Sequence, residues 1–148
     1  MKVITLPLRI DNGIYKKATR TKKAGDKKKS DPLNLNFYRN ANHFKLADMK
    51  IKYKDIVEDE LKRVGLLDAK YNKVRISYTL YAGNNRKFDL SNIQSIVQKF
   101  FEDSLQELGL IEDDTYEYIV EYSCAFGGID KGNERVEIEI SEVANEKS

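Results

Sequence analysis

The segment 91–108 constrains the fold most. Ile93, Ile96, Val97, Phe100, Phe101, Leu105 and Leu108 recur there every three to four residues, the period of one helix face, and Gly109 stops the run. So broad an apolar stripe has to be buried along its length, and the flanking segments offer a sheet to bury it on. Upstream, Val74, Ile76, Tyr78 and Leu80 alternate with Arg75, Ser77, Thr79 and Tyr81 until Gly83 and Asn84 interrupt, the period of a strand with one covered face. Downstream, 116–125 and 135–141 are β-rich, and FGGIDKGN between them has the glycines of a hairpin connection. Nearer the start, 2–10 reads as a strand. His43–Val64 reads as a helix carrying Phe44, Leu46, Ile51, Ile56, Val57, Leu61 and Val64, with Gly65 as its C-cap. This order of elements predicts an α/β (α+β) fold, a mixed β-sheet with two main helices packed on one face.

With 148 residues and 41% hydrophobic content, the chain 1–148 is expected to form a single domain whose core needs no metal or disulfide staple. The lone Cys124 has no internal disulfide partner, suits a reducing cytosol, and reads as a small apolar residue. The opening MKVITLPLRI is broken by Pro7 and Arg9, so it reads as a strand and not as a secretory signal or membrane span. A soluble, cytoplasmic protein is the expectation.

Net charge is only +2, but it is unevenly distributed. Lys16, Lys17, Arg20, Lys22, Lys23, Lys27, Lys28 and Lys29 crowd one segment against the single Asp26, in a stretch with almost no apolar content. A flexible basic loop at about 15–32 is expected, with a short disordered tail at about 143–148. From Phe101 onward, fourteen acids face three bases. The basic part of the chain is the part that seeks phosphate.

Acids bracket the 91–108 helix: Asp89 just before it, Asp113 and Asp114 just beyond it. Both groups are expected to meet at one sheet edge, where carboxylates without nearby His or Cys suit a hard, oxygen-liganded ion such as Mg²⁺. Local explanations stand beside this one. An Asp at a helix start complements the helix dipole, EDD between elements makes a solvated turn, and Ser91 with Gln94 reads as a capping box. His43, in NANHF, reads as a packing or capping residue, and Phe88 and Tyr81 as core aromatics beside strands.

The stretch FDLSNIQSIVQKFFEDSLQELGLIEDD resembles the signature of the RusA-type Holliday junction resolvases of phages and prophages, in which a D-x-D-N element opens a helix, a glycine ends it, and an acidic pair follows before a strand. PLNLNFYRNANHFKLADMKIKYK is similar to that family's N-terminal LN-x-YYR and helical lysine segment, and VEIEISE to its closing strand, so the likeness runs from about Leu33 to Glu142. It implies a homodimer that binds four-way DNA junctions and makes paired, Mg²⁺-dependent nicks, with Mn²⁺ able to substitute, in the cytoplasm of a bacterial host. Asp89, Asp113 and Asp114 match the family's catalytic, metal-holding acids, Asn92 matches its asparagine beside the site, and Ser91 stands where the second aspartate would be, its hydroxyl able to fill that metal position at lower affinity. Ser95 stands where many members carry a lysine, a loss that Lys99 or Lys87 could partly replace. Arg39, Lys50 and Lys54 would touch phosphates together with the basic loop, fixing a junction by shape without reading its bases. The two serines keep open a catalytically weak or inactive junction-binding protein of the same fold. The lysine loop and the tyrosines alone would also suit a basic RNA-binding module.

Overall fold

The computed structural model describes residues 2–15 and 28–144; the side chains of 13–15 and 28–29 fall outside that description. The strands are β1 (Ile4–Leu6), β2 (Arg9–Tyr15), β3 (Lys28–Pro32), β4 (Val74–Ala82), β5 (Ile119–Ile129) and β6 (Arg135–Glu142). The helices are α1 (Leu35–Asn40), α2 (His43–Val64) and α3 (Leu90–Glu107). A four-stranded mixed sheet has the order β1-β6-β4-β5, and β2 and β3 pair as a separate two-stranded sheet. The α+β architecture expected from the periodicities is therefore present.

β4 is the axis of the sheet. Val74, Ile76, Tyr78, Leu80 and Ala82 are buried while the residues between them are not, so one face meets α2 and α3 and the other stays polar. The stripe of α3 behaves as its spacing requires, with Ile96, Val97, Phe100, Phe101 and Leu105 in the core. α2 departs from expectation. Its buried face is Met49, Tyr53, Val57 and Leu61, a row spaced by four, whereas Phe44 and Ile51 point outward at 75% and 61% exposure. Gly65 caps α2 at φ 76°, and Gly109 follows α3 at φ 82°, left-handed conformations that favour glycine.

Three local expectations are corrected. The strand expected over 2–10 is two strands: β1 pairs with β6, and Pro7, which has no N–H to donate, separates it from β2. β2 and β3 pair antiparallel from Arg9↔Pro32 to Tyr15↔Lys28, so both ends of the expected basic loop are strand, while residues 16–27 lie outside the described ones. Finally, β5 and β6 are not hairpin neighbours. β5 runs parallel to β4 through Phe126 and Gly128, and the connection after it crosses the end of β4, with the Asp130 and Gly132 N–H groups donating to the Ala82 and Gly83 carbonyls, before β6 pairs on the far side.

Gly127 has a specific task in this arrangement. A Cβ there would lie 2.6 Å from Cε1 and Cζ of Tyr81, so glycine lets that ring lie across β5, with the Arg135 guanidinium 4.0 Å from its centroid. Tyr81 is thus a residue of the open sheet face and not of the core.

Candidate functional site

The loop between β4 and α3 builds a cleft. Asn85, Arg86, Lys87, Phe88 and Asp89 line a cavity of about 690 Å³ whose far wall is Phe126 and Ile129 of β5. Phe88 stands edge-on to Phe126, centroids 6.1 Å apart, so it is a cleft aromatic, half-buried, where core packing was expected. Arg9 and Arg86 line an adjoining hollow with Phe88 and Ile93, which brings the base of the β2–β3 hairpin to the same pole of the molecule.

Asp89 is the N-cap residue of α3 by backbone geometry (φ −82°, ψ 127°), yet its side chain makes no capping hydrogen bond. An N-cap carboxylate ordinarily accepts from the first-turn N–H groups; this one is exposed at the mouth of the cleft. The capping-box reading of Ser91 is overturned by the same geometry, since Ser91 lies inside the first turn, where its carbonyl accepts from the Ser95 hydroxyl, and Gln94 is buried against Gln98. Asn92 has a structural role: its Oδ1 accepts the Leu35 N–H at 3.2 Å, tying the start of α1 to the start of α3, while Arg39 is exposed on the last turn of α1.

Asp113 and Asp114 are elsewhere. They precede β5, whose first residue Ile119 pairs with Val74, the first residue of β4, whereas Asp89 follows the last residue of β4. The eighteen residues of α3 lie between the two ends, about 27 Å at 1.5 Å per residue. Asp113 Oδ1 accepts the Asp114 N–H at 2.8 Å, and Asp114 sits close enough to Glu102 to help raise its carboxyl pKa, after the larger effect of burial. The expected meeting of the acids at one sheet edge is therefore corrected. Because β4, α3 and β5 form a parallel crossover, the start of the helix and the start of the next strand must lie at opposite sheet ends.

Among the described residues no group of three or more His, Cys, Asp or Glu side chains is arranged to hold a metal ion. The acids of one protomer do not fit the Mg²⁺ set that the resemblance implies.

The cations divide similarly. Lys50 pairs with Asp103 at 3.9 Å and Lys54 with Glu107 at 3.4 Å, partly exposed links between α2 and α3. Lys87 and Lys99 are exposed, Lys87 in the cleft loop and Lys99 on α3. Lys16, Lys17, Arg20, Lys22, Lys23 and Lys27 lie outside the described residues, as do the side chains of Lys28 and Lys29. His43 is exposed on the first turn of α2, its ring 4.1 Å from that of Phe44, while Asn42 supplies the cap by accepting the Lys45 N–H. Cys124 is a free, half-buried thiol.

Sequence reasoning missed Arg9, Arg86 and Asn85 as cleft residues, although GNNRKF, a turn rich in polar side chains between a strand and a helix, is the type of segment that carries sites. No protein-family model matches the chain, and no curated protein matches it. Among the described residues no helix is long and apolar enough to cross a membrane.

Proposed function

We propose that this protein is a structure-selective endodeoxyribonuclease of RusA type, binding four-way DNA junctions and nicking them in a paired, Mg²⁺-dependent manner in the recombination or repair of phage or prophage DNA, in the cytoplasm of the bacterial host. The observation that carries the reading is the cleft pole: an uncapped Asp89 carboxylate beside Arg86 and Lys87, with Arg9 and the base of the hairpin that leads into the basic segment close by. Cations around a concave entrance attract a polyanion and position its phosphates, and an exposed carboxylate among them is a hard oxygen ligand for a divalent ion. When bound, a divalent ion would stabilise charge on the phosphoryl group and lower the pKa of an attacking water. Among the described residues of one chain, Asp89 is the acid of the cleft, and Asp113 and Asp114 lie at the opposite sheet end.

A second reading is favoured by that separation and by Ser91 and Ser95: a junction-binding protein that does not cut. A labelled four-way junction and a linear duplex of equal length, incubated with the protein in Mg²⁺, in Mn²⁺ and in EDTA, separate the two. Metal-dependent symmetric nicking of the junction is expected. Tight junction binding without nicks, unchanged by Asp89→Asn, would establish the second reading, and preference for RNA would remove both.

A further inference from the structure

The cleft joins two chemistries that a duplex backbone does not need together. Its mouth holds Arg86, Lys87 and Asp89, all exposed, while its inner wall is Phe88, Phe126 and Ile129. Phe126 and Ile129 lie three residues apart, and on a regular strand they would face opposite sides of the sheet. The register of β5 shifts between them: Phe126 stands level with Leu80 and Ile129 with Ala82, and Gly127 is the extra residue. A bulge of this kind re-aims a side chain beside a site. Here it turns both apolar groups to the cleft, where they are 48% and 54% exposed.

The rings of Phe88 and Phe126 meet at 73° and make a corner. A flat group stacked on one ring turns its edge to the other, an arrangement that aromatic quadrupoles favour. The charges around the corner are mixed. Asp89 stands at the mouth, Glu134 lies in the adjoining hollow with Arg9, and Asp130 is held by Arg135 at 2.8 Å, while Arg86 and Lys87 form no ion pair among the described residues. Charge alone therefore does not choose the occupant. The chemistry that matches an aromatic corner and these two cations together is a nucleotide, a flat ring joined to a phosphate.

We propose that the cleft takes one unstacked nucleotide of the DNA, its base in the Phe88–Phe126 corner against Ile129 and its phosphate on Arg86 and Lys87. The assignment rests on the junction reading above and gives a physical cause for its selectivity. A base inside a duplex is stacked and paired, and extruding it is costly; at a strand crossing the stack is already interrupted, so the cost falls. Every base has a π-face, so the corner selects structure and tolerates sequence. Because Phe88 directly precedes Asp89, a base seated there sets its own phosphate near that carboxylate.

Abasic scanning with the full chain tests the corner. Four-way junctions are made with the base removed from one nucleotide at a time around the crossing, and affinities are measured in EDTA, where nothing is cut. In the wild type, one position is expected at which loss of the base raises Kd by roughly fivefold or more, the lower end of what a base stacked on an aromatic side chain contributes. Phe88→Leu, which keeps an apolar side chain and removes the π-face, should raise Kd for the intact junction by a similar factor and make binding indifferent to the missing base. Phe88→Trp should keep both the affinity and the sensitivity. Phe126→Leu, at an exposed position, should behave as Phe88→Leu does, so a folding defect at Phe88, read by far-UV circular dichroism, leaves the test in place. Junction binding with no sensitive position, or with one that persists in both leucine variants, would overturn the proposal and leave the function standing. Oligothymidylate bound through Phe88 and Phe126, with junctions bound no better than duplex, would keep the nucleotide site and remove the junction reading; no binding of any DNA would remove both. Leucine variants that bind DNA normally but lose mass in light scattering would give the corner to a protein surface and overturn the proposal.

Discussion

Asp89 and Asp114 stand at opposite ends of α3, one before its first turn at the C-terminal end of β4, the other beyond its last turn near the N-terminal end of β5. The eighteen-residue helix between them, about 27 Å long at 1.5 Å per residue, holds the two carboxylates apart within one chain. Asp89→Asn is expected to abolish nicking, whereas Asp113→Asn with Asp114→Asn should leave it, since those two carboxylates lie at the other end of the sheet from the cleft. Gel analysis of a junction labelled on each strand in turn reads the result, and nicking that survives Asp89→Asn would remove the cleft carboxylate from the chemistry.

Electrostatic positioning gives a second expectation. Arg86→Gln with Lys87→Gln should weaken junction binding across all sequences and flatten the dependence of log Kd on log salt by about one to two, since each lost phosphate contact releases roughly one fewer counterion. A titration between low and moderate salt measures the slope; an unchanged slope would exclude the cleft loop from the DNA interface.

Gly127→Ala should destabilise the fold by about 1–3 kcal/mol, because its Cβ would meet the Tyr81 ring at 2.6 Å and the Thr79 Cγ2 at 2.7 Å. The ring would have to leave Arg135. Urea unfolding checks the magnitude, and the double change with Tyr81→Ala should cost less than the sum of the two.

The hydroxyls of Tyr53 and Tyr78 are buried without a hydrogen-bond partner among the described residues. Burial pushes both phenol pKa values far up, so both stay neutral. Tyr53→Phe keeps the edge contact with the Phe100 ring and removes a desolvated polar atom, so stability should be unchanged or rise by about 1 kcal/mol. A loss of more than that in urea unfolding would show that the hydroxyl is satisfied.

Two carboxylates act on stability with opposite signs as pH changes. Burial, reinforced by Asp114 and Asp103 and opposed by a hydrogen bond from Gln98, raises the Glu102 pKa. Its contribution is therefore complete below the ordinary glutamate pKa and is lost as pH rises through the shifted value. Glu60 is lowered, first by its hydrogen bond to Arg63 and further by the Thr5 N–H; its contribution is present above the ordinary value and lost as pH falls through the lowered one. Glu102→Gln should raise Tm at pH 7 by on the order of 1–3 °C and have no effect at acid pH. Thermal melts at the two pH values decide it.

The secondary structure was legible wherever one period dominated. The stripe from Ile93 to Leu105, the alternation from Val74 to Leu80 and the glycines at 65 and 109 appear in the structure as the spacing predicts, because each reports a local constraint, burial of one face or a left-handed backbone. α2 has the expected ends and shares Val57 and Leu61 with the expected face, but its buried row differs in the N-terminal half. Tyr53 and Met49, not Phe44 and Ile51, reach the core, since the facing surfaces of α3 and the sheet choose among several apolar rows.

The site was less legible, for a related reason. The sequence by itself determined that this chain forms a mixed sheet under two amphipathic helices, that its positive charge is concentrated early and its negative charge late, and that acids flank α3. Only the tertiary structure decided that those acids lie at opposite poles, that Lys50 and Lys54 pair with Asp103 and Glu107, and that β5 and not β6 is left at the edge. Periodicity encodes which face of an element is buried, a property of a few neighbouring residues. Where two loops end up relative to each other depends on strand order and direction, which arise from the packing of the whole chain.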